Sequence, residues 1–103
     1  MRERRQTERR SFDVFFNKFL DGHPYLCRAV DLSRSGILCD VFLQPETRHD
    51  AFPLELELPG TARRLWVWGH KVRKAGTREA IRFVSLHTED RIALERYLRD
   101  VAA

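Results

Sequence analysis

The succession of short apolar runs restricts the fold of this chain more than any other feature. Six runs rich in aliphatic and aromatic residues follow one another, separated by polar segments with turn residues such as Gly, Pro and Asp. Runs of this length and composition between turn signals are typical of β-strands. The six predicted strands are Phe12–Leu20, Tyr25–Leu32, Ile37–Leu43, Pro53–Pro59, Leu65–Val72 and Ala80–Leu86. The sequence therefore predicts a protein built mainly from β-strands.

The fourth and fifth runs indicate how these strands pack. Leucine and glutamate alternate strictly within Pro53–Pro59, which predicts a strand with one buried face and one face in water. In the fifth run, Gly69 and His70 blur the alternation and predict a β-bulge. Trp66 and Trp68 lie at strand spacing, which suits packing residues more than a stacking platform, so we leave both out of the predicted site.

The end of the chain changes from strand to helix periodicity. Thr88 is the predicted N-cap of a helix, and Glu89 and Asp90 place carboxylates where they favour a helix start. One helical face then carries Ala93, Leu94, Tyr97, Leu98 and Val101. Six strands and one packing helix predict a six-stranded antiparallel β-barrel with a C-terminal α-helix.

Length and composition fit one ordinary globular domain. A chain of 103 residues, 43% hydrophobic and 33% charged, can bury a single modest core. No apolar run is long enough to cross a bilayer, and the N-terminus lacks the apolar stretch of a signal peptide. We therefore expect a cytoplasmic protein without membrane insertion, whose barrel and helix occupy residues 11–103 as one domain.

The first ten residues have a different character. Residues 1–10 contain five arginines and two glutamates, and residues 2–10 contain no apolar side chain. Such a segment has nothing to bury, so we predict a flexible basic arm. Its positive charge accounts for most of the formal net charge of +4 and favours an anionic partner.

Few residues favour catalysis or metal binding. The two cysteines, Cys27 and Cys39, fall in neighbouring predicted strands and are interpreted as small buried thiols. The four histidines lack the spacing of metal ligands, so no metal site is predicted. We find no paired carboxylates, no nucleophile with a nearby base and no phosphate-binding P-loop, and we predict that the protein is not an enzyme.

Two short motifs carry the functional signal. Arg5 and Arg9 form an RxxxR pattern, and the segment Asp31–Gly36 has the form DxSxxG at the end of the second predicted strand. Taken singly, the first is common in basic arms and the second in ordinary turns. In this order, and with the barrel and helix pattern around them, the chain resembles the PilZ domain family over nearly all of residues 4–100. The resemblance implies a bacterial receptor for cyclic di-GMP.

The resemblance also assigns site residues. Arg5 and Arg9 are expected to contact phosphate and to stack on guanine, because a guanidinium offers both a hydrogen-bonding fork and a flat face. Asp31 can accept hydrogen bonds from the Watson–Crick edge of guanine. Ser33 adds a hydroxyl group that can serve either phosphate or base. These residues match the family motif position by position.

Two small residues complete the comparison with the motif. Gly36 either permits a positive φ in the turn or lets the ligand approach the backbone closely. Ala80 departs from the family pattern, which often has a glycine just before the apolar residues of the late strand. If that glycine makes room for the ligand, the added methyl group weakens binding; if it relieves crowding in the barrel, little changes.

The number of bound ligands is suggested by one further arginine. Arg4 immediately precedes the RxxxR motif, and in this family an arginine there tends to accompany two intercalated ligand molecules. A third guanidinium helps to neutralise four phosphates, so we predict two cyclic di-GMP molecules per protein. Arg10 is added to the predicted site only as a nearby positive charge.

Three functions remain open from the sequence. The leading one is a receptor in which bound cyclic di-GMP orders the arm and changes contact with an unidentified output protein, with motility regulation among the family's outputs. The second is a PilZ-fold adaptor that does not bind cyclic di-GMP and acts through protein contacts in motility or polarity. A nucleic-acid-binding barrel is the weakest, because the basic residues do not interleave with aromatic ones on one strand face.

Overall fold

Six strands and one helix form the protein. The computed structural model describes residues 9–45, 49–61 and 63–102, and for residues 9–14, 101 and 102 it gives the backbone alone. The elements are β1 (Arg9–Leu20), β2 (His23–Ser33), β3 (Gly36–Val41), β4 (Ala51–Glu57), β5 (Arg64–Ala75), β6 (Arg78–Leu86) and α1 (Thr88–Ala102).

The strands close into an antiparallel barrel, which confirms the predicted fold class. Their order around the barrel is β1, β2, β3, β6, β5, β4. The barrel therefore consists of two sheets of consecutive strands, β1 to β3 and β4 to β6. The pairing of β3 with β6 joins these sheets on one side. On the other side, Asn17 and Lys18 of β1 pair with Glu55 and Leu54 of β4 and complete the circle.

Period-2 alternation fills the barrel with apolar side chains. In β4, Phe52, Leu54 and Leu56 are buried while Glu57 is exposed, as the alternation of the sequence predicts. The largest side chains that are fully shielded from solvent come from four strands of the barrel and from the helix: Leu32, Leu54, Leu65, Leu94, Val67, Cys27 and Cys39.

The helix packs on the barrel through its apolar face. Leu94, Tyr97 and Leu98 belong to the same buried cluster as the barrel residues. The first turn is also attached to the chain before β5, because Arg63 Nε donates a 2.8 Å hydrogen bond to the buried carboxylate of Asp90. This hydrogen bond raises the pKa of Arg63 above its ordinary value.

The N-cap of the helix lies one residue earlier than predicted. The Arg91 amide donates a 2.9 Å hydrogen bond to the His87 carbonyl, so His87 holds the N-cap position and Thr88 is the first helical residue. The prediction that Thr88 is the N-cap is therefore wrong by one position. Glu89 and Asp90 still lie in the first turn, where their charges favour the helix dipole.

The first strand starts three residues before the predicted Phe12. Arg9 and Arg10 pair with Ser33 and Leu32 of β2, so two residues assigned to the arm have strand backbone. A strand needs hydrogen-bonding partners for its backbone rather than apolar side chains, and β2 supplies them. Residues 1–8, the rest of the predicted arm, lie outside the described residues.

The predicted bulge in the fifth strand is present. The pairing of β5 with β6 shifts register between Trp68 and Gly69. A Cβ atom on Gly69 would lie 2.7 Å from Ile81 Cγ2 and 3.1 Å from Leu54 Cδ1, so the interior has no room for a side chain there. The glycine thus lets β5 pass close to the core at the bulge.

The tryptophans of β5 lie on the outer face. Trp66 and Trp68 are 45% and 46% exposed, and the Trp66 ring packs beside Phe19 with ring centroids 5.4 Å apart. Both residues therefore cover the barrel surface rather than its core.

The two cysteines are free and buried, as the sequence predicts. The hydrogen bond between them, and then burial, raise the pKa of Cys39 far above its ordinary value. The Cys39 thiol therefore stays protonated at neutral pH and behaves as a small core residue.

A buried ion pair crosses the inside of the barrel, and the sequence analysis missed it. Lys18 Nζ of β1 lies 2.6 Å from Glu79 Oε1 of β6, and the two side chains are only 3% and 2% exposed. The ammonium group also lies 4.6 Å from the centre of the Phe52 ring. Because β1 and β6 are not neighbours in the sheet, this pair connects opposite walls of the barrel.

Removing the lysine should destabilise the barrel strongly. Lys18→Met leaves the Glu79 carboxylate buried without its counter-ion, and we expect the free energy of unfolding at pH 7 to fall by about 3–5 kcal/mol. Urea denaturation followed by tryptophan fluorescence measures this. The double variant Lys18→Met/Glu79→Leu should recover part of the loss, because no buried charge remains.

The matched control is Lys74→Met, which removes an exposed lysine near the end of β5. Its unfolding midpoint should stay close to that of the wild type. Equal midpoints for Lys18→Met and Lys74→Met would show that the buried pair does not stabilise the barrel.

Candidate functional site

The predicted DxSxxG motif opens onto a groove on the barrel surface. Asp31 and Ser33 lie at the end of β2, and the chain turns there into Gly36 at the start of β3. These three residues line a solvent-open groove with a volume of about 490 Å³. The structure thus brings together the motif residues from β2 and β3 on one surface.

Only part of the RxxxR motif lies within the described residues. Arg9 is paired with Ser33 through the backbone of β1 and β2, so it lies one strand away from the groove. Arg10 pairs with Leu32 in the same ladder. Arg4 and Arg5 lie outside the described residues, and their assignment stays a prediction.

The turn of the motif is held by its own serine. Ser33 Oγ accepts a 3.2 Å hydrogen bond from the Ser35 amide and donates a longer one of 3.4 Å to the Gly36 carbonyl. A short side chain that hydrogen-bonds the backbone two residues on is a common way to fix a tight turn. Ser33 therefore shapes the edge of the groove in addition to any ligand contact.

Gly36 is required by the neighbouring strand. Gly36 does not have a positive φ, so the prediction that the glycine permits a positive φ in the turn is wrong. A Cβ atom at this position would lie 2.6 Å from the Ile81 carbonyl oxygen of β6. Gly36 thus allows the backbone of β3 to lie close to the backbone of β6. This contact holds the turn against β6.

The other side of the groove comes from β5 and β6, far along the chain from either motif. Arg73, Ala80 and Arg82 line it. Ala80 pairs with Leu38 of β3 and is half-buried, so its methyl group lies at the groove surface rather than in the core. The departure from the family pattern therefore falls at the surface of the groove.

Sequence reasoning missed the two arginines of this side. Arg73 follows the predicted end of the fifth strand, and Arg82 lies within an apolar run. Only the pairing of β6 with both β3 and β5 places them beside the motif.

Two other arginines near the site are paired with one aspartate. Arg28 and Arg78 donate hydrogen bonds to the Asp40 carboxylate at 3.0 and 2.7 Å. The bond from Arg28, and then that from Arg78, lower the pKa of Asp40 below its ordinary value. These three charges form a surface network across β2, β3 and β6, which leaves Arg28 and Arg78 poorly suited to ligand binding.

A second cavity lies on the opposite part of the sheet. It has a volume of about 380 Å³ and is walled mainly by Phe19, Phe52, Trp66 and Trp68. None of the motif residues lines it, and neither tryptophan lines the groove of the motif. The two surfaces are therefore separate.

Two further kinds of feature are absent from the described residues, a metal-binding cluster and a membrane-spanning helix. No group of three or more His, Cys, Asp or Glu side chains among residues 9–45, 49–61 and 63–102 is arranged to hold a metal ion. The one helix in the described part of the chain is too short and too polar to cross a membrane.

A closed six-stranded barrel with a C-terminal helix thus carries a solvent-open groove at the turn after its second strand. Residues 3–100 match the sequence model of the PilZ domain, and the chain belongs to that family. PilZ domains are binding and adaptor domains that typically bind cyclic di-GMP and interact with proteins.

Solved structures show the same fold. The inhibitor of motility MotI/DgrA from Bacillus subtilis superposes with a TM-score of 0.79 at 15% identity, over 97% of this chain and 52% of that protein. The PilZ domain of CeSA from a cellulose-synthesizing bacterium gives a TM-score of 0.71 at 13% identity, over 92% of this chain and 98% of that domain. This chain thus spans about half the length of the motility inhibitor. No curated protein sequence matches it.

Adding one methyl group at Gly36 should loosen the groove. In Gly36→Ala, the new Cβ atom and the Ile81 carbonyl cannot keep their present positions, and we expect a loss of about 1–3 kcal/mol in the free energy of unfolding. Thermal unfolding measures the loss, and amide chemical shifts of β3 and β6 locate the displacement.

Thr77→Ala, at an exposed position in the turn between β5 and β6, is the control. It should leave both the melting temperature and the β3 and β6 shifts nearly unchanged. If Gly36→Ala behaves like this control, the close packing of β3 on β6 does not depend on the glycine.

Proposed function

We propose that this protein binds cyclic di-GMP in the groove of the motif and thereby changes its contact with an output protein. The observation that carries the proposal is that Asp31, Ser33 and Gly36 line one open groove in a chain of the PilZ family. The proposal places the protein in the cytoplasm as a receptor without catalytic activity.

The chemistry of the groove supports a guanine ligand. Asp31 presents carboxylate oxygens, which accept hydrogen bonds from the N–H groups of a guanine edge. Gly36 has no side chain and lines the same groove, which suits the close approach of a flat base. Both features belong to the part of the motif that the structure describes.

The arm would contribute contacts to the phosphates. Arg5 and Arg9 match the RxxxR motif, and the backbone of Arg9 lies beside Ser33. From that position a long guanidinium side chain can fork onto a phosphate. Arg10 adds a further positive charge one residue along the same strand.

We further propose two ligand molecules per protein. Arg4 adds a third guanidinium next to the motif, and four phosphates need more positive charge than two. The groove also crosses β2, β3, β6 and β5, which gives two stacked ligands a broad surface to lie on.

In the output step, bound ligand would fix the arm against the groove. The ligand and arm together then form a surface that the barrel alone does not offer, and an output protein reads that surface. Regulation of motility is the output we favour, since the similar protein from Bacillus subtilis is an inhibitor of motility.

A second candidate is an adaptor that works without cyclic di-GMP. An exposed apolar patch supports it: Phe15, Leu26 and Phe42 are each about half exposed, Leu43 is 95% exposed, and the rings of Phe15 and Phe42 lie 6.3 Å apart. Exposed patches of this kind often mark protein contacts. The same patch would serve as an output surface in the receptor.

Isothermal titration of cyclic di-GMP tests the proposal directly. We expect the wild type to bind at a ratio of two, and Arg5→Ala, Arg9→Ala and Asp31→Ala each to lose about 1–3 kcal/mol, which is roughly ten-fold or more in affinity. GTP and cyclic di-AMP are the ligand controls. Arg96→Ala on the exposed side of α1 is the control for loss of a positive charge.

Two results would change the proposal. A folded wild-type protein that does not bind cyclic di-GMP would favour the adaptor and direct attention to the apolar patch. Binding with a ratio of one would keep the receptor but overturn the assignment of two ligands.

Limited trypsin digestion tests the role of the arm. The arginines of residues 2–10 are cleavage sites, and we expect cyclic di-GMP to slow cleavage there because bound guanidinium groups and fixed backbone resist the protease. Cyclic di-AMP should give no protection. Cleavage at the same rate with saturating cyclic di-GMP would separate ligand binding from any ordering of the arm.

A further inference from the structure

One row of paired residues runs across the whole groove. Asp31 of β2 pairs with Leu38 of β3, Leu38 pairs with Ala80 of β6, and Ala80 pairs with Arg73 of β5. Three steps between neighbouring strands of about 4.8 Å each make the row roughly 14 Å long. A carboxylate thus stands at one end of the groove and a guanidinium at the other.

Both charged residues reach the outer face through a β-bulge. In β2, Cys27 and Ala29 point inward, and simple alternation would turn Asp31 inward too. The register shift between Ala29 and Asp31 reverses this, and Asp31 is only half-buried. Bulges commonly redirect a side chain at a functional site.

The same device acts on Arg73. In β5, every second residue from Leu65 to Gly69 points inward. If this alternation continued, Arg73 would also point into the barrel. The register shift between Lys71 and Arg73 brings Arg73 opposite Ala80, and its side chain is exposed. The two ends of the groove are therefore built in the same way.

Arg82 stands beside this row on β6. It pairs with Gly36 of β3 and lies two residues from Ala80, so its side chain shares the outer face with Ala80. It is exposed and lines the groove together with Arg73.

Neither guanidinium is engaged within the described part of the chain. Among residues 9–45, 49–61 and 63–102, no hydrogen bond or ion pair joins the side chain of Arg73 or Arg82 to another group. Arg78, on the same strand as Arg82, is instead held by Asp40 at 2.7 Å. Arg73 and Arg82 keep their donors available at the groove.

We infer that Arg73 and Arg82, which lie across the groove from Asp31, bind phosphate. The inference rests on the proposed function and adds two contact residues to it. The carboxylate of Asp31 repels a phosphate and accepts from a guanine edge, whereas the two guanidinium groups attract phosphate. This polarity orients a guanine nucleotide with its base toward β2 and a phosphate toward β5 and β6.

Titration calorimetry with matched pairs of variants tests the inference. Arg73→Ala/Arg82→Ala removes both groove arginines, and we expect its affinity for cyclic di-GMP to fall by about ten-fold or more. Lys74→Ala/Arg78→Ala removes the same charge from the same two strands outside the groove, and its affinity should stay within about two-fold of the wild type. Thermal unfolding of both variants verifies that they fold.

A conservative pair separates contact from general charge. Arg73→Lys/Arg82→Lys keeps both positive charges but loses the planar fork, so its affinity should lie between those of the wild type and the alanine pair. Equal affinity of the groove alanine pair and the control pair would overturn the inference and leave the receptor proposal intact.

A second measurement keeps the two proposals distinct. If the wild type does not bind cyclic di-GMP, the proposed function fails, and inorganic pyrophosphate is titrated while the side-chain Nε–H signals of Arg73 and Arg82 are followed by NMR. Shifts confined to these two signals, with the Arg96 signal unchanged, would support phosphate binding by Arg73 and Arg82. Unchanged signals for Arg73 and Arg82 would overturn it.

Discussion

The close contact between the backbones of β3 and β6, at Gly36 and Ile81, is the constraint on which the groove depends. It lets β3 and β6 pair although they are far apart in the chain, and it joins the two sequential sheets on one side of the barrel. The turn after β2 is thereby drawn against the hairpin of β5 and β6. Without this pairing the motif would be a loop with no opposite wall, since half of the groove comes from β5 and β6.

The barrel combines a rigid interior with a surface whose charges are placed by irregularities. Lys18 and Glu79 connect opposite walls through the core, and such a pair favours one arrangement of the strands because any other leaves a buried charge alone. On the surface, the two bulges turn Asp31 and Arg73 outward from positions that regular strands would direct inward. Regular alternation supplies the core, and departures from it supply the chemistry of the groove.

Much of the fold was predictable because it follows from local periodicity. The six strands, the alternation of β4, the bulge at Gly69 and the final helix were all visible in short windows of sequence, and the motif located one side of the groove. What could not be predicted depends on partners distant in the chain. The early start of β1 requires the ladder with β2, the pair of Lys18 and Glu79 joins β1 to β6, and Arg73 reaches the groove only through a shift in strand register.

The pairing of β3 with β6 also affects when the groove can form during folding. Hairpins between consecutive strands close short loops, whereas Gly36 and Arg82 must meet across the whole middle part of the chain, and contacts of this kind form slowly. As the ribosome produces the chain, both motifs emerge long before the strand that completes the groove. A nascent chain would therefore carry both motifs before it can form the groove, which is complete only after β6 has paired with β3 and β5.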